Sequence, residues 1–370
     1  MSTLKVDNIR HNSATSDAIT MASDGTCTAK LTSVGGGGLS HRNIIINGAM
    51  TVSQRGSSTT TNGYLIDRFR SNLGGIDQMQ FTMSQSTDAP SGFRKSLKFD
   101  VTTAETGGTG SDEYAGLRYI TESQDVAHLL YGTSGAKTIT LSFHVKSYQT
   151  GAYALNLYMG DSARVYTTTY TINQSATWEK KTLTIVGDTG GSEINVDNGH
   201  GLYINWFFAS GSTYNSSSAN TNQWAGFTNA GWANGQSVDL LNSTDNYFQL
   251  AGVQLEVGDT ATTFEHISYG EELRRCKRYY QSAAYTTLMG SMSGTVGTPR
   301  ILFEVEMRDV PSSVTTEYGG NGNGSFRNQN DGSILTGLTT FNYYINGFDC
   351  RGGGGGNTIY SSTYKATAEL

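Results

Sequence analysis

The chain has 370 residues, of which Ser, Thr, Asn and Gly make 158, while only 15% are charged and 3 are Pro. With 25 Lys and Arg against 31 Asp and Glu, the net charge is −6 and the pI near 5.5, which excludes the basic footprint of a nucleic-acid-binding protein. Aromatic content of 11%, led by 21 Tyr, excludes a disordered polar tract, and no run of 18 apolar residues could insert into a membrane.

A composition rich in Thr, Tyr, Val and Gly favours strands over helices and predicts an all-β protein. Length predicts roughly two domains at ~100–200 residues each. The first 20 residues carry no apolar h-region, so no signal peptide is expected. Cys27, Cys276 and Cys350 are isolated thiols without a CxxC pair, which predicts neither a disulfide framework nor a zinc site, and folding in a reducing compartment.

In chain order, residues 1–42 hold short apolar clusters, the first formed by Leu4, Val6 and Ile9, and end in a Gly35–Gly38 hinge. Such a segment cannot bury a core alone. It is expected to be disordered or, because Leu4, Val6 and Ile9 need cover, to dock on a larger assembly. Residues 43–267 read as strand after strand. Ile139, Leu141, Phe143 and Val145 alternate with Thr, Ser, His and Lys; Leu97, Phe99 and Val101 repeat the pattern, as do Tyr153, Leu155 and Leu157. Leu202 to Phe208 is apolar on both faces and predicts a central strand. The phase change at Gly252 within Phe248 to Val257 predicts a β-bulge. The whole stretch predicts a two-sheet sandwich or jelly roll.

Residues 268–283 shift to a helical period, with Leu273, Cys276 and Tyr280 on one stripe and Glu271 four residues before Arg275. This predicts a connecting helix, either a plain linker or a threefold contact in which copies bury the stripe together. From 284 to 370 strands return as a smaller β domain, with Ile301, Phe303, Val305 and Met307 alternating before Pro311.

Reactive motifs are sparse. Gly319–Gly324 lacks the Lys-Ser/Thr of a phosphate-binding loop, and Gly352–Gly356 reads as a loop tip. The six His show no metal-ligand spacing, His144 alternates outward as if solvated, and no Ser-His-Asp order is evident. No cofactor, metal or catalytic set is expected. Carboxylates at Asp112, Glu113, Glu122, Asp125 and Asp239 are the candidates for acid–base work on a polysaccharide, with Glu122 and Asp125 better suited to structural contacts. Aromatic rings among amide-rich loops suit sugar stacking and hydroxyl recognition. This points to Tyr214, Trp224 and Trp232 within a group that includes Tyr203, Trp206 and Phe227, the alternative being rings that plug the sandwich. In the last domain Phe326, Arg327, Tyr343 and Tyr344 suit an adaptable recognition surface, or else core and seam.

Several ordered blocks carry a resemblance. Asn43–Gly56 (NIIINGAMTVSQRG), Tyr64–Phe69 (YLIDRF), the middle run AHLLYGTSGAKTITLSFHVKS and the close FQLAGVQLEVGDTATTFEHISYGEELRRCKRYYQ resemble a β-sandwich module of bacteriophage tail fibres, and MSTLKVDNI is similar to the start of marine-phage tail proteins. The resemblance covers about Asn43–Gln281. It implies a non-enzymatic, homotrimeric receptor-binding fibre in the virion tail, assembled in the cytoplasm of the infected bacterium. Residues 1–42 would attach it to other tail or baseplate proteins, and the 284–370 domain would face a host surface glycan or protein. Relatives of the module include carbohydrate-binding jelly rolls whose structural calcium uses an acidic residue after the Asn-Gly. Here Ala49 and Met50 stand there, so that ligand is missing. Other readings are a purely structural collar, baseplate or capsid fibre, and a polysaccharide depolymerase.

Overall fold

The computed structural model describes residues 6–10, 12–13, 15–25, 27–29, 42–216, 220–291, 300–329, 332–351 and 357–370. Of the N-terminal residues expected to dock, Leu4 lies outside the described residues, as do Gly35–Gly38 and Gly352–Gly356; Val6 is half-buried and Ile9 is exposed. Three short strands, β1 (Asn8–Ile9), β2 (Ile19–Met21) and β3 (Cys27–Ala29), form an antiparallel meander there.

The body is a jelly-roll β-sandwich of two six-stranded antiparallel sheets. Its strands are β4 (Ser58–Thr59), β5 (Phe69–Gly74), β6 (Gln80–Ser86), β7 (Ser96–Thr103), β8 (Tyr114–Glu122), β9 (Ile139–Ser147), β10 (Gly151–Met159), β11 (Arg164–Ile172), β12 (Glu179–Ile185), β13 (His200–Ser210), β14 (Trp224–Gly226) and β15 (Tyr247–Val257). One sheet runs β14-β11-β10-β13-β8-β5, the other β12-β9-β15-β7-β6-β4. The alternating residues meet between them: Trp206 of β13 lies 6.0 Å from Phe143 of β9 and 6.4 Å from Phe69 of β5, and Phe208 packs 4.9 Å from Phe99. These rings are fully buried, each contributing about 1.5–3 kcal/mol over exposure.

The expected bulge is present. The β15–β9 register slips between Ala251 and Gln254, and Gly252 sits at φ 59. A Cβ there would lie 2.5 Å from Phe93 Cζ and 2.9 Å from His144 Nδ1, so glycine is required for both reasons.

At one end of the second sheet, Glu179 closes the turn before β12. Its carboxylate accepts from the backbone N–H groups of Asn173 and Gln174, from Asn173 Nδ2 and from Lys181 Nζ. Burial alone would raise its pKa, but these donors outweigh it and hold the carboxyl at about 2. A depressed folded pKa gives stability that is present above the unfolded value and lost as pH falls through the folded one. Between pH 4.5 and 2 the wild type is therefore expected to lose stability faster than Glu179→Gln. Parallel thermal melts of the two proteins check this, and superimposable acid profiles would refute it.

The helical segment is shorter than its sequence suggests. A one-turn α1 (Ser123–Val126) interrupts the body, and α2 (Tyr269–Lys277) starts at Ser268, whose side chain accepts from the Glu271 N–H. By Tyr280 the chain has entered β16 (Tyr280–Ser291), so Leu273, Cys276 and Tyr280 are not one helical stripe. Cys276 is buried with Ile46, Val52 and Tyr279, and Leu273 and Leu370 pack on them; Tyr280 lies under the Arg55 guanidinium at 3.7 Å. The surface expected between copies is covered within one chain by Ile46, Val52, Tyr279 and Leu370. Glu271 pairs with Arg274 at 2.9 Å, one position earlier than expected.

The C-terminal domain adds β17 (Arg300–Leu302), β18 (Ser313–Glu317), β19 (Phe326–Asn328), β20 (Ile334–Leu335), β21 (Thr339–Tyr344), β22 (Gly347–Arg351) and β23 (Asn357–Thr367). Strand β23 is its spine, pairing with β16, β18 and β19. The alternation over Ile301–Met307 is strand only to Leu302. Beyond it the Gln281 side chain takes the place of a ladder, donating to Val305 O and accepting from the Glu304 N–H at 3.1 Å.

Candidate functional site: the outer face of the β8–β13 sheet

The motif residues that carry the tail-fibre resemblance are structural. Asn43 Oδ1 accepts from the Ile45 and Leu255 N–H groups, and its Nδ2 donates to Val253 O. Asn47, buried at φ 62, donates through Nδ2 to Val52 O and Asp67 O, while its N–H donates to Glu272 of α2 at 2.6 Å. A Cβ on Gly48 would meet Val253 O at 2.0 Å. Asp67 accepts from the Gln54 N–H and Nε2; burial pushes its carboxyl up to about 6 despite Gln54 and Arg55. Arg55 and Arg68 both grip Glu369. These groups tie both ends of the body to the helix and the chain terminus.

A second polar group lies on the other sheet, buried at Thr167, Asn156 and Asn205 and half-buried at Arg118 and Arg70. Register aligns one polar residue per strand across the sheet: Thr167 of β11 faces Asn156 of β10, Asn156 faces Asn205 of β13, Asn205 faces Arg118 of β8, and Arg118 faces Arg70 of β5. At about 4.8 Å between strands this row is roughly 19 Å long. Each member alternates with core residues such as Leu117, Tyr119, Ile204, Trp206, Leu155 and Leu157, so the row lies on the face turned away from the core. Arg118 Nε donates to Asn205 Oδ1 at 2.6 Å; Asn205 Nδ2 donates to Asn156 Oδ1 at 2.6 Å; Asn156 Nδ2 donates to Trp232 O at 2.6 Å. The chain of amides fixes the guanidinium in orientation. Its two terminal nitrogens have no hydrogen-bond partner among the described residues.

Aromatic rings border this row. The Arg118 guanidinium lies 5.4 Å from the Tyr203 ring and 6.0 Å from that of Trp232. Tyr158 packs edge-on against Tyr203 (5.3 Å), Phe227 (5.6 Å) and Trp232 (5.6 Å). Phe227 is 40% exposed whereas Trp232 is 7% exposed, so Trp232 is floor and Phe227 rim. His200 Nδ1 and Tyr203 Oη share a 2.6 Å hydrogen bond; burial, then Arg308 and Arg118, keep the imidazole pKa below its usual value, so the ring stays neutral. Burial also lowers the Arg118 pKa, a sign of a partly desolvated cation.

The structure redistributes the expected sugar-binding residues. Tyr214 is half-buried on this face, edge-on to Tyr114 at 4.9 Å. Trp224 turns the other way, packing on Tyr131 and Tyr166 beside the core with Nε1 donating to Val186 O at 2.7 Å. In the C-terminal domain Phe326 is fully buried, a core ring and not a surface one. Arg327 is exposed and donates to Tyr318 Oη at 3.3 Å; Tyr343 is half-buried beside Thr340, and Tyr344 stacks under Arg300 at 4.0 Å. Arg118, Asn205, Asn156 and Tyr158 escaped the sequence reading. The available signal was one polar residue set inside each of three otherwise apolar central strands (YAGLRYI, LYINWFF, YALNLYM).

The carboxylates are dispersed. Asp112 and Glu113 precede β8 and Glu122 ends it, roughly 30 Å away at 3.3 Å per residue. Glu122 is clamped by Arg278 at 2.9 and 3.0 Å, which outweighs burial and lowers its pKa; burial raises that of neighbouring Asp125. Asp112 accepts from Thr213 Oγ1, and Asp239 from Thr109 and the Leu241 N–H. Asp77, Glu105 and Glu113 place one carboxylate oxygen each within 4.8 Å, the sole group of three among the described residues that could hold a cation.

No family model and no curated protein matches the sequence. Solved structures that match include the enzymatically active domain of tailspike protein 4 of bacteriophage CBA120, at 11% identity and TM-score 0.29 over 58% of this chain and 21% of that one. This chain thus spans about a fifth of the tailspike chain's length. Others are the family 11 carbohydrate-binding module of a Clostridium thermocellum cellulosomal cellulase (12% identity, TM-score 0.28, 56% of this chain and 98% of that one) and the CBM22-1 xylan-binding domain from Paenibacillus barcinonensis (9%, 0.27, 59% and 96%). At such identities no binding residue is carried over from any of them.

Proposed function

We propose that the chain is a recognition and structural protein that binds glycan on the outer face of the β8–β13 sheet, with Arg118 at the centre of the contact. The observation that carries this reading is the Arg118 guanidinium, oriented by Asn205, flanked by Tyr203 and Trp232, with its terminal nitrogens uncommitted. Sugar rings present apolar C–H faces and hydroxyl edges together. A fixed multidentate donor beside aromatic rings meets both, and the pre-ordered amide row limits the side-chain entropy lost on binding. Tyr158 and Phe227 supply the stacking faces, and Tyr203 Oη joins the Arg118 guanidinium as the polar one, while buried Asn205 only orients Arg118.

In a tail fibre this sheet, in place of the 284–370 domain that the resemblance implied, would contact the host surface while residues 1–42 attach the protein to other tail or baseplate proteins. Homotrimeric assembly stays part of the proposal on that resemblance alone, since α2 is covered within one chain. Sedimentation at micromolar concentration should give the mass of three chains; a monomer would remove the trimer.

Binding is tested by titrating a panel of bacterial surface oligosaccharides and following tryptophan fluorescence. Arg118→Ala is expected to weaken binding about tenfold or more, because a hydrogen bond from a charged donor contributes roughly 1.5–3 kcal/mol. Tyr203→Ala should act in the same direction, with the fold unchanged by circular dichroism. Undiminished affinity in Arg118→Ala, or no ligand across the panel, would overturn the reading.

A further inference from the structure

The second sheet carries a separate pocket that nothing above uses. After β15 the chain folds back across the outer face of β9, β12 and β15, anchored where the Glu265 N–H donates to Gln254 Oε1 at 2.8 Å. This brings Phe264 and His266 onto the face beside His144 of β9 and Lys180 of β12, which are directly opposite each other in the ladder. Phe93 comes in from the β6–β7 connection. The rings form a box: Phe93 lies 4.9 Å from Phe264 and 5.3 Å from both His144 and His266, and Phe264 lies 4.8 Å from His266. They line a cavity of about 420 Å³, room for one or two sugar rings.

Three features mark it as built. The bulge at Gly252 exists in a conformation only glycine takes readily, and its missing side chain is what admits Phe93 and His144. His144, expected to be solvated, is half-buried with Nδ1 enclosed and without a hydrogen-bond partner. Burial, then Lys180, lower its pKa, so it is a neutral imidazole at pH 7. Lys180 is exposed at the rim and has no ion-pair partner among the described residues.

We propose that this pocket is a second carbohydrate subsite, specific for a sugar unit bearing a carboxylate, such as a uronate. The pyranose ring packs against Phe93 and Phe264, the imidazoles of His144 and His266 meet hydroxyls, and Lys180 pairs with the carboxylate. The aromatic walls distinguish this occupant from a bare anion, and Lys180, the one Lys or Arg among the described residues that line it, distinguishes it from a neutral sugar. The subsite lies on the opposite sheet from Arg118 and does not depend on it.

The test is a titration of the full chain with galacturonate, glucuronate, galactose and acetate, following the imidazole NMR resonances of His144 and His266. Both uronates are expected to shift these resonances saturably, galactose to bind about two- to fivefold more weakly, and acetate to leave them unmoved. Lys180→Met, an exposed substitution that leaves the core intact, should erase the preference for uronate, and Phe93→Ala should abolish the shifts. Arg118→Ala should leave them unchanged, which separates this subsite from the sheet face proposed above. Shifts reproduced by acetate, equal response to galactose and uronate, survival of the response in Phe93→Ala, its loss in Arg118→Ala, or no response to any probe would each overturn the proposal.

Discussion

Glu369→Ala is expected to destabilise the protein by roughly 3–5 kcal/mol although the residue is next to the last in the chain, because it is half of a buried charge cluster. Arg68, 1% exposed and held at φ 74, donates to Glu369 and to Ile120 O, with the Tyr279 ring 3.4 Å from its guanidinium. Arg55 binds the other oxygen of Glu369 at 3.0 Å. Removing the carboxylate leaves the Arg68 cation buried without a counter-charge, and that uncompensated charge is the source of the cost. Replacing both partners by apolar groups, as in Arg68→Met with Glu369→Leu, should recover much of the loss, since a buried ion pair gives up in desolvation most of what it gains in attraction. Urea unfolding followed by circular dichroism compares the three proteins. A Glu369→Ala midpoint indistinguishable from wild type would mean that the terminus contributes nothing to the body.

The second large effect is in the sandwich core. Trp206 is the largest fully buried side chain, wedged between Phe69 of its own sheet and Phe143 of the other. Truncation to Ala should cost about 3–5 kcal/mol, as lost transfer energy adds to the cavity left between two close-packed layers. Trp206→Phe should cost far less than its lost volume suggests. The indole Nε1–H is buried without a hydrogen-bond partner, a penalty of about 1–3 kcal/mol that Phe does not carry. Denaturant midpoints for wild type, Phe and Ala at position 206 check the order, and equal losses for Phe and Ala would show that the indole nitrogen has found a partner.

The two glycan proposals have different origins in the fold. The Arg118 row depends on strand neighbours: Asn156, Asn205 and Arg118 are 38 to 87 residues apart in sequence and meet only because β10, β13 and β8 are adjacent. The Phe93 box depends on a return loop laid over a bulged strand. Neither is a cluster along the chain, whereas the aromatic run from Tyr214 to Trp232 is one, and its members divide between the core side and the outer face of a single sheet.

Wherever one face of a strand is buried, the alternation over Ile139–Ser147 or Tyr153–Leu157 determined strand and core face from the sequence alone, because side-chain direction follows a period of two whatever the strand's neighbours. Gly252 likewise declared the bulge, since the phase of the apolar pattern breaks there. What alternation does not encode is which strand lies beside which. Register between distant segments is set by non-local packing, so only the tertiary structure decided that Asn205 would orient Arg118, that Gln281 would bond the chain beyond Leu302, and that Leu370 would pack on the buried face of α2.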